Sequence, residues 1–171
     1  MSCSHAGELP NVQDMFTWKE FAAAQPDLAE AGRSLLYQHG VGLAYLATVR
    51  PDGGPRLHPM CPLFHADGLF AFIVPSPKQA DLRRDGRFAM HSFPCPDNED
   101  AFYVTGVATL IGDGAVRAAV SELFVSERRA FAVPAPAEHD LLFQFNLATC
   151  LVTRTSGHGD PNPAHAVWRS D

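Results

Sequence analysis

The sequence predicts a mainly β protein, a small antiparallel β-barrel decorated with short helices. Three observations lead there. Six apolar segments of strand length, at about 41–49, 55–64, 69–74, 87–93, 101–111 and 141–153, follow one another across turn residues. The helical segments between them are few, so the strand–helix alternation of a parallel sheet is missing. Neither Gly-x-Gly-x-x-Gly nor a Gly-Lys-Ser/Thr loop occurs, which removes the usual nucleotide-binding α/β folds. With 171 residues, 46% of them hydrophobic, the chain suits a single domain with a real core.

Residues 17–24 and 27–38 have helical composition, interrupted at Gln25-Pro26 and stopped by His39-Gly40. They make residues 1–40 an N-terminal helical flank. The barrel takes residues 41–153. Its first strand, 41–49, is nearly all apolar, and Arg50-Pro51-Asp52-Gly53-Gly54 turns it into 55–64, a hairpin signal. His65-Ala66-Asp67-Gly68 turns the chain again into 69–74, and a short helix follows at 77–84. Asp85-Gly86 restores a strand at 87–93, an exposed Pro/Asp/Asn loop fills 94–100, and a long β-branched and aromatic strand runs over 101–111. Gly112-Asp113-Gly114 opens a helix over 115–131 that puts Val116, Val120, Leu123 and Phe124 on one face, which should be core. The last strand is 141–153. Residues 154–171 form a C-terminal tail, with a Gly/Pro/His loop before Ala166-Val167-Trp168-Arg169.

A formal charge of −6 argues against a nucleic-acid binder that neutralises backbone phosphates. The basic residues are nevertheless clustered: Arg56, Lys78, Arg83, Arg84 and Arg87 are five of thirteen, and Lys78 is one of only two lysines. Residues 1–12 have neither a basic start nor an apolar centre, and no apolar stretch is long enough to span a bilayer. The expectation is a cytoplasmic protein without signal peptide or membrane contact. Cys3, Cys61, Cys95 and Cys150 are scattered, which suits reduced thiols, and the eight histidines show no zinc-type spacing, so no metal site is expected.

Ser76-Pro77-Lys78-Gln79 stands where an apolar run stops and a helix begins. Ser76 suits the N-cap, Pro77 the first turn, and Gln79 the reciprocal position of a capping box. Lys78 adds a full positive charge where the helix already carries partial positive charge, which is unfavourable unless an anion sits there. The segment reads either as a capped surface helix or as a phosphate site. On the strand before it, alternation puts Arg56, His58 and Met60 on one face and Leu57, Pro59, Cys61 and Leu63 on the other. With the second set in the core, the first would face a cleft or a partner subunit. Arg56 would reach an anion there, and His58 and Met60 would line a flat ring. Pro59 and Pro62 leave the strand irregular.

Residues 46–53 (Leu-Ala-Thr-Val-Arg-Pro-Asp-Gly), Pro55-Arg56-Leu57-His58-Pro59-Met60, Ser76-Pro77-Lys78, residues 81–92 and residues 101–108, in that order, resemble the pyridoxamine-5′-phosphate-oxidase-like family of FMN-binding split barrels. The resemblance covers the chain from about residue 35. It implies a six-stranded antiparallel split barrel and a homodimer with FMN at the subunit interface. It places Ser76, Lys78 and Arg56 at the phosphate, and the strand Arg56, Leu57, His58, Pro59 and Met60 along the isoalloxazine. Val74 would pass the ring, Tyr103 would approach from the other subunit, and Trp168 would pack nearby. The function it implies is FMN-dependent hydride transfer to or from an unidentified small molecule, with no residue singled out as catalytic. Alternatives are a deazaflavin-dependent reductase, or a non-catalytic flavin or haem carrier or sensor, with His58 or His91 toward haem. The chain ends at Trp168-Arg169-Ser170-Asp171, without the longer substrate-binding C-terminal segment of true pyridoxamine-phosphate oxidases. Fold alone does not choose among these activities.

Overall fold

A computed structural model describes residues 15–66 and 68–170; the readings made for residues 1–12, Cys3 and Asp67 fall outside them. Two helices open the described chain, α1 (Trp18–Ala24) and α2 (Pro26–Leu36). A full capping box starts α1, with Thr17 and Glu20 satisfying each other's backbone N–H groups. The strands are β1 (Ala44–Val49), β2 (Pro55–Met60), β3 (Leu63–His65), β4 (Gly68–Ile73), β5 (Arg87–Ser92), β6 (Ala101–Leu110), β7 (Leu141–Arg154) and β8 (Ala164–Arg169). Helix α3 (Pro77–Arg84) links β4 to β5, and α4 (Gly114–Glu127) with a 3-10 turn (Arg129–Phe131) links β6 to β7.

The mainly β class and the antiparallel split barrel are borne out, with eight strands among the described residues in place of six. Pro62, which has no N–H to give a ladder, divides the expected 55–64 strand into β2 and β3. The expected tail contains β8, which pairs with β7 from Arg154↔Ala164 to Thr149↔Arg169. Strand order is β2-β1-β5-β6-β7-β4-β3, so the sheet is not a simple meander: β1 pairs β5 as well as its hairpin partner β2, and β4 pairs β7 as well as β3. β2 and β3 are consecutive in the chain but lie at opposite ends of this order, which leaves the sheet curled and open between them.

One face of the sheet is the core. Leu46, Met90, Val104 and Cys150 form one row across β1, β5, β6 and β7, all buried. Helices α1 and α2 dock on this face. Gly32 of α2 sits so close to the Phe102 ring that a Cβ there would lie 2.7 Å from it, and Trp18 meets the same ring edge-on. The apolar face expected for the helix after Gly114 is found: Val120 is buried with Leu63, Phe70 and Leu142, and Val116, Leu123 and Phe124 pack against them. Helix α4 therefore covers the second face of β3, β4 and β7, which explains why β4 reads as a continuous apolar run. A register shift opposite Thr105/Gly106 leaves Ala148 of β7 without a partner on β6, a bulge in β7, and a Cβ on Gly106 would stand 1.8 Å from the Asn146 carbonyl oxygen.

Among the described residues, the opposite face of β1, β2, β5, β6, β7 and β8 carries no helix. Its central row runs Leu57, Ala47, Ala89, Thr105 and Thr149, and the row beside it runs Pro59, Tyr45, His91, Tyr103, Leu151 and Val167. These residues are half-buried or exposed, Leu57 at 63%. Asp100, in the loop over 94–100 expected to be exposed, is half-buried. Asp100 accepts bonds from Arg154 and from the Thr155 N–H and hydroxyl, tying the loop to β7. Burial raises its pKa, and these bonds outweigh burial and hold it below the ordinary aspartate value.

Candidate functional site

The β1–β2 register explains the prolines of β2. Tyr45↔Pro59 and Val49↔Pro55 face each other. Proline cannot complete a hydrogen-bonded pair, so these and Ala47↔Leu57 between them are the non-hydrogen-bonded pairs of the ladder. The backbone polar groups of Leu57 and the Pro59 carbonyl consequently point off the open edge of the sheet. Helix α3 lies along that edge.

Two rungs join them. Lys78 Nζ donates to the Pro59 carbonyl at 3.2 Å, and Arg56 Nε donates to Asp81 Oδ2 at 2.7 Å. Lys78 and Asp81, three residues apart, share one face of α3. Asp81 is 2% exposed; its Oδ2 also accepts from the Thr48 hydroxyl at 3.0 Å, and its Oδ1 accepts from Arg84 Nη1 at 3.2 Å. Arg84 reaches on to the Val49 carbonyl through Nη2. Burial raises the Asp81 pKa, but the bonds from Arg56, Thr48 and Arg84 outweigh it and hold the carboxyl below the usual aspartate range. Burial also lowers the Lys78 pKa, offset in part by Cys61. Among the described residues, no carboxylate forms an ion pair with Lys78.

Ser76 is the N-cap as expected, accepting from the Gln79 N–H at 3.4 Å while donating to the Val74 carbonyl. The reciprocal half of the capping box does not form. The Gln79 amide donates instead to the carbonyls of Ile73 and His139, which anchors the start of α3 to β4 and to the turn before β7. Val74, just before the cap, is 53% exposed.

The strand faces are the reverse of the expectation for β2. Met60 is buried and Arg56 and His58 half-buried on the core side, while Leu57 and Pro59 face outward, because the Thr48–Asp81 network draws Arg56 inward. Arg56, Pro59, Val74, Ser76 and Lys78 are brought together along one edge. Tyr103 lies on the helix-free face of β6. Trp168 lies on β8, beyond β7 from β2, with its ring 5.0 Å from Phe16 and 4.9 Å from Phe21, so one protomer does not bring it to Arg56. His58 and His91 face opposite sides of the sheet, since His58 shares a row with Leu46 and His91 with Tyr45. Asp81, Thr48 and Arg84 received no role from the sequence. The available signal was an aspartate next to Leu82 on the inward side of a basic helix, and a threonine at an inward position of an apolar strand.

The carboxyl shifts have a consequence for acid stability. A carboxyl whose folded pKa lies below its unfolded value of about 3.9 stabilises the fold above that value, and loses this as pH falls through the lowered pKa. Unfolding midpoints in urea are therefore expected to hold above about pH 5 and to fall below about pH 4. Asp100→Asn should flatten part of that fall, measured by circular dichroism.

No family model matches the chain, and no curated protein matches it by sequence. Solved structures do. A haem-binding protein from Mycobacterium smegmatis superposes with a TM-score of 0.62 at 12% identity over 82% of this chain, which spans 57% of that protein's length. An F420 reductase gives 0.53 at 18% identity, over 68% of this chain and 94% of that one. General stress protein 26 from Bacillus anthracis gives 0.55 at 20% identity, covering 72% of this chain and 91% of that one. At such identities the shared property is architecture: this chain has the fold of the pyridoxamine-5′-phosphate-oxidase-like split barrels.

Proposed function

We propose that the protein is a homodimeric FMN-dependent oxidoreductase that holds the cofactor along the β2 edge and the start of α3, at the subunit interface. The observation that carries this reading is a pair of cations on one sheet edge, Lys78 with no carboxylate in ion-pair contact among the described residues and Arg56 engaged only through Nε. The residues fit FMN. Lys78, the outer edge of the Arg56 guanidinium and the first turn of α3 suit a dianionic phosphate. The off-edge backbone groups of Leu57 suit the polar rim of a flat ring, and exposed Leu57 and Val74 offer it apolar surface. The Ser76 hydroxyl, already spent on Val74 and the helix cap, is the weaker phosphate ligand of the three expected from sequence.

Bound FMN supplies hydride chemistry, and the protein's part is position, electrostatics and exclusion of water. The Lys78 ammonium and the Arg56 fork neutralise the phosphate, and the Pro59 carbonyl keeps Lys78 aimed along the edge. The substrate is a small molecule. His58 and His91, on opposite faces, cannot together hold one haem within a protomer. The helix-free face, with Tyr45, Ala89, Tyr103 and Leu151 at its centre, suits burial against a second copy. A charge placed there should cost several kcal/mol if left unpaired. Ala89→Arg is expected to convert the dimer to monomer in sedimentation velocity and to weaken FMN binding together with it. An FMN-binding protein that is monomeric before substitution would contradict the interface. The activity is tested on FMN-loaded protein under anaerobic conditions: bleaching of flavin absorbance by NADH, NADPH or a reduced deazaflavin supports an enzyme. A cofactor that none of them reduces favours a carrier.

A further inference from the structure

We propose that Asp81 is a positioning residue that fixes the Arg56 guanidinium for a phosphate at the start of α3. The inference rests on the FMN reading above and goes beyond it, because Asp81 itself would not touch the cofactor. The geometry of its two carboxylate oxygens carries the argument. Oδ1 is taken by Arg84 and Oδ2 by Thr48, so the single bond to Arg56 arrives through Nε and no side-on bidentate fork forms. That arrangement leaves the end-on edge of the guanidinium, the outward N–H groups of its two terminal nitrogens, without a hydrogen-bond partner among the described residues. Asp81 is buried, whereas the Arg56 side chain is 27% exposed, so the arginine meets solvent beside a buried anchor.

Arg84 is spent within the network. One of its nitrogens holds Asp81 and the other the Val49 carbonyl, which joins the end of β1 to α3 and keeps Asp81 from swinging toward Arg56. Thr48 holds the same carboxylate from β1, the strand directly paired to Arg56. An arginine held this way loses less side-chain freedom on meeting an anion, and its planar fork suits two phosphate oxygens at once. An aspartate that merely neutralised Arg56 would compete with the phosphate; one bonded through Nε alone leaves the fork available.

The test is calorimetric titration of the full-length protein with FMN and with riboflavin, which lacks the phosphate. Asp81→Asn is expected to weaken FMN binding about tenfold while riboflavin changes less than about twofold, so the FMN-to-riboflavin preference falls. Thr48→Val, which leaves every charge in place, should lower the same preference about threefold, and it decides the question if Asp81→Asn does not fold. An FMN preference in either folded variant equal to or above that of the unaltered protein overturns the positioning role and leaves the FMN reading standing. Failure of the unaltered protein to prefer FMN overturns both.

Discussion

Replacing Lys78 by alanine is expected to weaken FMN binding by about 10- to 100-fold while riboflavin binding changes little. Charge-assisted hydrogen bonds are worth roughly 1.5–3 kcal/mol, and each 1.4 kcal/mol is about tenfold in affinity. Lys78 sits at the upper part of that range for a local reason. Its ammonium is half-buried, it bonds only the Pro59 carbonyl, and no carboxylate of the described residues pairs with it, so its charge is available to an arriving anion. The fold should hardly notice the change, because the Pro59 carbonyl lies on the open edge, where water can replace the ammonium. Burial lowers the Lys78 pKa, so FMN affinity should also decline as pH rises through a value below that of an ordinary lysine. Fluorescence titration across pH reads both effects, and Lys78→Ala should remove the alkaline decline. Unchanged FMN affinity in Lys78→Ala would return the Ser76-Pro77-Lys78-Gln79 segment to a capped surface helix.

The largest expected loss of stability is at Phe102. This side chain is fully buried on β6, meets Trp18 edge-on and receives the bare backbone of Gly32 against its ring. Phe102→Ala removes a ring from a contact that the helices cannot close, since α1 and α2 are joined only by Gln25 and lean on the sheet at the same place. The expected cost is about 3–5 kcal/mol, a large fraction of the roughly 5–15 kcal/mol that keeps a domain folded. Urea unfolding measures it. Because Phe102 is remote from α3, whatever fraction stays folded should keep its FMN-to-riboflavin preference. A cost under about 1 kcal/mol would mean that the α1–α2 flank is not part of the cooperative core.

The strand segments were legible because their apolar runs are bounded by strong turn signals, as at Arg50-Pro51-Asp52-Gly53 and Gly112-Asp113-Gly114. The split of β2 from β3 was not, since Pro62 interrupts a run that is otherwise apolar on both sides. β8 was missed because its strand character depends on the exposed edge of β7 beside it, a partner that local pattern does not reveal. Alternation in β2 correctly separated Arg56, His58 and Met60 from Leu57 and Pro59. It could not say which set faced inward, because an arginine turns toward the core only when a buried acid waits there. That acid, Asp81, is 25 residues away in sequence, and the pairing that meets it is set by how α3 crosses the sheet edge. The half-formed capping box has a similar cause: Gln79 finds the carbonyls of Ile73 and His139, the second of them 60 residues away.

The central claim is that the β2 edge and the start of α3 bind a flavin through its phosphate, and paired titration of the unaltered full-length protein with FMN and riboflavin tests it most directly. The account predicts saturable FMN binding, at least about tenfold tighter than riboflavin, with a preference that shrinks at high salt as screening weakens the Lys78 and Arg56 contacts. Equal affinity for the two, or binding of neither, would contradict it.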